Sequence, residues 1–137
     1  MRVLFDTNVV LDLLLARQPH VETAAALVAR VERGELTGCL CATTVTTIFY
    51  LASKAVGAEA ARAQLKLLLG LFEVAPVNRS VLDGALASGF ADFEDAVLHE
   101  AAVLWGAECL VSRNGRDFRR ARLPVYAPGE LEAVLGV

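Results

Sequence analysis

Acidic residues stand at three places in the chain where an apolar run meets a polar segment. Asp6 directly follows the run VLF. The segment DFEDAVLHE begins with three acids, Asp92, Glu94 and Asp95. A short polar turn separates Asp117 from the run CLVS. Carboxylates that are gathered at one place repel each other, and burial raises their pKa values unless a cation neutralises them. An all-oxygen set of ligands suits Mg²⁺ or Mn²⁺. If the fold brings them together, these acids predict a divalent-metal site.

A metal at such a site would favour chemistry on phosphate esters. It would lower the pKa of a bound water, orient that water for attack and stabilise charge on the leaving oxygen. Arg113 and Arg116 lie beside Asp117 in the segment SRNGRDF. One guanidinium group can donate two parallel hydrogen bonds to the oxygens of one phosphate. We therefore expect these two arginines to contact the flanking phosphates of a substrate, although a solvated helix face would also explain them.

Each acid also has an ordinary structural interpretation. Asp6 or Thr7 could cap a helix that starts there, and Asp92 is a good N-cap with Asp95 three residues later, as in a capping box. The Asn-Gly dipeptide at 114 and 115 could form a simple turn. From the residues alone, both interpretations stay open.

The hydrophobic pattern predicts the elements that would position these side chains. Five strands are expected, at 2–5, 35–42, 71–77, 108–112 and 123–128. Helices are expected at 8–16, 19–34, 43–57, 58–70, 78–89, 92–106 and 129–136. Pro19 is expected at a first helical position, and Gly34, Gly57 and Gly70 are expected to end helices.

Strands that alternate with helices imply parallel crossovers. We therefore predict an α/β fold, a three-layer sandwich with a mainly parallel central sheet and helices on both faces. Ligands of such folds bind outside the carboxyl ends of the strands, which is where Asp6 and Asp117 are expected. Thr7 and Asn8 are then expected to cap the first helix, which would free the Asp6 carboxylate for a cation.

Composition limits the class of protein. The 137 residues suit one domain, expected to span 1–137, and 55% hydrophobic against 21% charged residues indicates a globular chain. No apolar run is long enough for a membrane span and no signal peptide is evident, so we expect a cytoplasmic protein without membrane contact. Cys39, Cys41 and Cys109 are expected to be reduced core thiols.

Charge is distributed unevenly. The formal net charge of −3 does not indicate a nucleic-acid-binding protein, but five of the 13 Lys and Arg residues lie within 113–122. A local basic patch can therefore coexist with an acidic total.

Three motifs, VLFDTNVVLDLLL, DFEDAVLHEAA and LVSRNGRDF, stand in this order along the chain. Together they resemble the PIN-domain ribonucleases, and especially the VapC-type toxins of prokaryotic toxin–antitoxin pairs. The resemblance covers nearly the whole chain. It implies an endoribonuclease of the PIN fold that depends on Mg²⁺ or Mn²⁺, forms a homodimer, acts on RNA and binds a cognate antitoxin over its active site.

The resemblance also implies roles for individual residues. Asp6 and Asp95 look like the metal ligands, Asp117 looks like a third catalytic acid, and Asn114 looks like its polar companion in substrate binding. Thr7 looks like a hydroxyl that fixes Asp6. Asp92, Glu94 and Thr7 are secondary candidates for the metal.

One position departs from the family pattern. Many members carry a Glu in the helix after the second strand, whereas this chain has Thr47 at or near that place and no acid between Glu35 and Glu59. An arrangement with two metals is then expected only if Asp92 or Glu94 compensates. A catalytically weak or inactive PIN-like module that binds RNA or protein remains an alternative.

Other α/β domains with an acidic pocket, in which Asp6 would be phosphorylated, fit less well. A haloacid-dehalogenase phosphatase needs a second Asp where Asn8 stands, and a receiver domain needs a lysine after a late strand, whereas the only lysines are Lys54 and Lys66. His99 lies four residues after Asp95 on the same helix face and is expected to be structural.

Overall fold

A five-stranded sheet forms the centre of the computed structural model, which describes residues 1–136; Val137, the last residue of the predicted domain, lies outside the described residues. The strand order is β3-β2-β1-β4-β5, and every neighbouring pair is parallel. The strands are β1 (Arg2–Phe5), β2 (Thr37–Cys41), β3 (Glu73–Ala75), β4 (Cys109–Val111) and β5 (Val125–Tyr126). The predicted α/β sandwich is confirmed, and its sheet is entirely parallel.

Seven helices cover the two faces of the sheet in the described residues. They are α1 (Thr7–Leu14), α2 (Val21–Glu32), α3 (Ala42–Val56), α4 (Ala58–Leu71), α5 (Arg79–Ala87), α6 (Phe93–Trp105) and α7 (Pro128–Leu135). A 3₁₀ turn, Gly115–Phe118, lies between β4 and β5.

Side chains of β1 explain why the sheet has a helix layer on each side. Val3 and Phe5 belong to the core beneath α1 to α4 and α7, and Leu4 belongs to the core beneath α5 and α6. All three are fully buried. A strand that is buried on both faces reads as a continuous apolar run, and this is the pattern VLF.

Two predicted helix boundaries were wrong. Pro19 is not the first helical residue, because the amides of His20 and Val21 both donate to the carbonyl of Arg17 and form a turn before α2 begins at Val21. Gly70 does not end α4, which continues to Leu71 before Phe72 turns to extended backbone and enters the core. Gly34 and Gly57 do end their helices with positive φ angles of 79° and 91°, which is backbone that favours glycine.

The cysteines are free and buried, as expected for core thiols. Burial raises the pKa of Cys39 to about 12 and that of Cys109 to about 11. Both thiols are therefore protonated at neutral pH and are poor nucleophiles. Among the described helices, none is both long and apolar enough to cross a membrane.

Candidate active site

The candidate site lies where β1 and β4 end side by side. Asp6 follows the last residue of β1, Ser112 follows the last residue of β4, and the Asp6 amide donates to the carbonyl of Val111 over 2.9 Å. Because the two strands are parallel neighbours, their following side chains emerge at the same edge of the sheet.

Both carboxylate oxygens of Asp6 are held by the protein. Oδ1 accepts from the Thr7 amide over 2.8 Å, and Oδ2 accepts from the Ser112 hydroxyl over 2.7 Å. The Ser112 hydroxyl itself accepts a hydrogen bond from the backbone amide of Asn114 over 3.0 Å. Each oxygen keeps a further lone pair. The Asp6 side chain is therefore fixed in orientation and still able to bind a cation.

The cap of α1 differs from the sequence prediction. Asp6 is itself the N-cap, whereas Thr7 and Asn8 were expected to do this work. The Thr7 hydroxyl instead donates to the hydroxyl of buried Thr44 over 3.0 Å, which ties α1 to the start of α3. The short Asp6 side chain reaches the neighbouring amide directly, so capping and placement at the strand edge coincide.

Acids of α6 and of the 3₁₀ turn lie near enough to Asp6 for their charges to act on it. Asp92 caps α6 by accepting from the amide of Asp95 over 2.9 Å, so its capping interpretation is confirmed. Asp95 is half-buried in the first turn, and Glu94 and Asp117 are exposed. The three chain segments named from the sequence thus meet around Asp6.

The electrostatics show how closely these acids interact. Burial raises the pKa of Asp6 above its ordinary value despite the hydrogen bonds from Ser112 and Thr7, and the charges of Glu94 and Asp117 raise it further. Burial, followed by the charges of Asp92, Asp6 and Asp117, raises the pKa of Asp95 to about 7. A nearby cation would reverse both effects, because it favours the ionised carboxylates.

The carboxylates fit a hydrated cation better than a closed metal cage. Among residues 1–136, no three His, Cys, Asp or Glu side chains are close enough together to enclose a metal ion directly. Mg²⁺ usually keeps several waters and is bound through one or two carboxylates, so it does not need such a cage. Asp6 and Asp95, both hard oxygen ligands with raised pKa values, suit that mode of binding.

The expected substrate-binding residues divide into two groups. The Arg113 guanidinium forms a two-point ion pair with buried Asp12, with distances of 2.6 and 3.1 Å, and so is directed into the protein. Asn114 and Arg116 are exposed, and Arg116 lines a cavity together with Asp117. The fold therefore leaves Arg116 available to a ligand and holds Arg113 on Asp12.

Comparison with known proteins adds the family. The family model described as PIN domain matches residues 2–116, which is most of the chain. The chain belongs to the PIN domain family. A search of curated proteins finds none that matches this sequence.

Solved structures share the fold of this PIN domain at low sequence identity. VapBC2 from Rickettsia felis, bound to a DNA fragment from its promoter, is 15% identical with a TM-score of 0.72, covering 93% of this chain and 98% of that one. A toxin-antitoxin complex from Klebsiella pneumoniae is 23% identical with a TM-score of 0.70, covering 92% and 97%. The Mycobacterium tuberculosis toxin VapC20, which cleaves the sarcin-ricin loop, is 18% identical with a TM-score of 0.64, covering 79% and 86%.

The family and the fold predicted from the three motifs are thus confirmed. PIN domains are generally nucleases, and those nucleases generally use divalent metal ions. This general chemistry agrees with the acids at the carboxyl edge of the sheet.

Sequence reasoning missed two residues of this PIN domain. Ser112 was assigned to a strand end, and nothing in its type indicated a bond to an acid 106 positions away. Asp12 lies in an apolar run, where a single acid with 1% side-chain exposure needs a buried partner. That rule could have signalled an arginine partner, although it could not have named Arg113.

Thr47 lies on α3, at or near the position where a Glu was expected from the family resemblance, and threonines are frequent in the first half of this helix. The Thr47 hydroxyl donates to the carbonyl of Thr43 over 3.1 Å and is used within its own helix. Glu94, whose charge raises the pKa of Asp6, is the acid that comes nearest to compensating. The charge of Asp92 acts in the same way on Asp95, so both of the acids expected to compensate lie at the start of α6 and act on the site through their charges.

His99 has a structural role, as its position suggested. It is 2% exposed, and its Nε2 accepts from the amide of Arg122 over 3.0 Å. Burial lowers its pKa below the ordinary value. The imidazole is therefore neutral at pH 7, as an accepting nitrogen requires.

Proposed function

We propose that this PIN domain is an endoribonuclease that hydrolyses RNA phosphodiester bonds with the help of Mg²⁺ or Mn²⁺. The observation that carries the proposal is the pair Asp6, directly after β1, and Asp95, in the first turn of α6. Burial is the main cause that raises the pKa of each, and the charges of neighbouring acids, including that of Asp6 on Asp95, raise them further. No cationic side chain of residues 1–136 forms an ion pair with either. A divalent cation would supply the missing positive charge.

The proposed roles follow from where each group lies. Asp6 and Asp95 would hold the cation, with Asp117 and Glu94 completing the negative site. A bound Mg²⁺ or Mn²⁺ supplies an activated water and stabilises charge on the leaving oxygen. Ser112 holds the Asp6 carboxylate in one orientation, so no reorganisation is needed when the cation binds.

Substrate binding would involve the exposed groups of the 3₁₀ turn and its N-terminal neighbour. Arg116 and Asn114 are free to contact phosphate or sugar oxygens beside Asp117. Arg113 would contribute mainly by holding this segment through Asp12, and only its remaining exposed edge could meet a substrate. Phosphate contacts of this kind position the strand without selecting its sequence.

The structural matches support a toxin role in particular. The R. felis and K. pneumoniae structures are toxin–antitoxin complexes, and VapC20 is a toxin that cleaves RNA. We propose by analogy that this chain is the toxin of such a pair, works in the cytoplasm, has a cognate antitoxin as partner and forms a homodimer.

The test incubates the purified protein with a mixed pool of RNA in Mg²⁺, Mn²⁺ or EDTA. The wild type should cut RNA in at least one metal and not in EDTA. Asp6→Asn and Asp95→Asn should each lower the rate by about 100-fold or more, the scale of losing one charged transition-state contact. Glu59→Gln, an exposed acid in the first turn of α4, is the matched control and should cut like the wild type.

The second candidate is a PIN-like module that binds RNA or protein with weak or no catalysis. It is favoured by the lack of an acid on α3 and by the open spacing of the carboxylates. Equal, low cutting by the wild type and both Asp variants in Mn²⁺ would support this candidate and refute the nuclease.

A further inference from the structure

A basic cavity of about 850 Å³ opens next to the acidic site. One wall is the loop 88–91 between α5 and α6, and the other is the segment that carries Arg116, Arg119 and Arg120. Asp117 lines the same cavity. A ligand seated there would therefore lie beside one of the acids assigned to the active site.

The three arginines share one cavity and form no ion pair with an acid among the described residues. Six arginines elsewhere in residues 1–136 form ion pairs with carboxylates. Arg116, Arg119 and Arg120 form none within that part of the chain, and all three are exposed. Unpaired guanidinium groups that share one cavity suit the paired oxygens of a phosphodiester.

The segment that carries these arginines is anchored at its middle and just beyond its C-terminal end. Phe118 is 3% exposed in the core, and the amide of Arg122 donates to buried His99. The imidazole of His99 stacks on Phe90 with 5.2 Å between ring centres, which joins the segment to the opposite loop. The arginines thus project from a fixed backbone.

The opposite loop is shaped around one of these arginines. Gly89 has a φ angle of +78°, and a Cβ there would lie 3.4 Å from both Cδ and Nη1 of Arg120. The positive φ angle is what favours glycine there, and the distance to Arg120 is ordinary van der Waals contact. The loop and Arg120 therefore pack together, and the cavity exists before a ligand arrives.

We propose that this cavity binds the phosphodiester backbone of single-stranded RNA beside the bond that is cut, with Arg119 and Arg120 as the phosphate-binding side chains. The inference rests on the proposed nuclease function and extends its substrate contacts beyond Arg116. RNA backbone is favoured over an acidic protein segment because Asp117 lies in the cavity wall. An RNA strand that binds the arginines would also reach the acidic site, where it would be cut. A protein carboxylate has no bond to be cut there, so the nearness of the acids would not favour its binding.

The experiment measures binding of a short fluorescent single-stranded RNA of mixed sequence in EDTA, so that no cutting occurs. Arg119→Gln/Arg120→Gln is compared with Arg33→Gln/Arg62→Gln, which removes the same charge from exposed positions outside the cavity. The cavity variant should bind about tenfold more weakly. Loss of two phosphate contacts should reduce the slope of log K against log salt by about 1.4. The control should bind like the wild type.

The readout separates this inference from the nuclease proposal. If the wild type cuts RNA in Mn²⁺ but the two double variants bind RNA equally, the cavity inference alone is overturned. If the wild type cuts no RNA but the cavity variant still loses binding, the nuclease proposal fails and the RNA-binding cavity stands.

Two further measurements distinguish RNA from an acidic protein segment and provide for a variant that does not fold. A polyglutamate peptide that binds with dependence on Arg119 and Arg120, while RNA does not, would assign the cavity to an acidic protein segment and overturn the inference. Should the double variant fail to fold, the single exchange Arg119→Glu replaces it, and reversal of that exposed charge should weaken RNA binding at least as much.

Discussion

Two aspartates six residues apart, Asp6 and Asp12, are both buried and have opposite surroundings. Asp12 is 1% exposed and receives two hydrogen bonds from Arg113, with Arg17 3.8 Å away. Asp6 is 7% exposed, receives one hydroxyl and one amide, and faces other acids. The charge of Asp12 is balanced within the chain and that of Asp6 is not.

We propose that this difference separates a structural acid, Asp12, from a functional one, Asp6. A buried charge is costly unless it is paired. The chain meets that requirement at Asp12 with an arginine, whereas at Asp6 it adds more negative charge from Glu94 and Asp117. Negative charge that is concentrated and unbalanced is retained where a cation from outside completes the site.

The largest expected effect is on stability, and it tests the ion pair between Asp12 and Arg113. Arg113→Met leaves buried Asp12 with the partly exposed Arg17, 3.8 Å away, as its remaining partner, and should lower the free energy of unfolding by about 3 kcal/mol in urea denaturation. Asp12→Asn/Arg113→Met, which removes the buried charge as well, should recover part of that loss. A stability change below about 1 kcal/mol, with weaker RNA binding instead, would make Arg113 a phosphate ligand and not an anchor.

A smaller effect concerns the hydroxyl that orients Asp6. Ser112→Ala removes a buried hydrogen bond to a carboxylate and should cost about 1.5 kcal/mol of stability. It should also lower RNA cleavage about tenfold and move the acidic limb of the pH–rate profile upward, because Asp6 would lose a contact that favours ionisation. Ser112→Thr keeps the hydroxyl and should retain the profile. An unshifted profile for Ser112→Ala would show that the bond only supports folding.

The smallest effect has the opposite sign. The pKa of Asp95 rises from an unfolded value of 3.8 to about 7 in the fold. Between these two pH values the folded state binds more protons than the unfolded state. The protonated Asp95 carboxyl therefore contributes fully to stability below about pH 4, and this contribution is lost as the pH rises toward 7. In metal-free buffer, Asp95→Asn should be more stable than the wild type at pH 8 by about 1 kcal/mol, which is a few degrees in Tm.

The matched measurement is made at about pH 3, below the unfolded pKa of 3.8, where the Asp95 carboxyl is mostly protonated in both states and the two proteins should melt at nearly the same temperature. Buried His99 contributes in the reverse direction, with stability lost as the pH falls below about 6.5, but it does so equally in both proteins. A variant less stable than the wild type at pH 8 would refute the view that Asp95 is strained by its neighbours.

The sequence predicted the strands, the order of acids and the sheet edge where they meet, because these follow from local pattern. Buried apolar runs such as VLF and the cap at Asp92 need only neighbouring residues to be recognised, whereas the cap of α1 was assigned to Thr7 and Asn8 and lies at Asp6. The bonds from Ser112 to Asp6 and from Arg113 to Asp12 join residues more than 100 positions apart. Such pairs depend on strand order, which the pattern did not determine.

Errors at Pro19 and Gly70 have the same origin. Both residues carry strong local signals, yet α2 starts after the turn on Arg17, and α4 ends where Phe72 enters the core. In both places the neighbouring residues, a local turn on the Arg17 carbonyl and the buried Phe72, decided the boundary over the propensity of the proline or glycine itself.

The central claim is that the unbalanced acids around Asp6 bind a divalent cation, and Mn²⁺ binding tests it most directly. Isothermal titration of the metal-free protein at about pH 8 should show saturable Mn²⁺ binding, and Asp6→Asn should weaken it at least tenfold while the folded state is retained. Glu59→Gln should bind like the wild type. Equal Mn²⁺ affinity of the wild type and Asp6→Asn would contradict the claim.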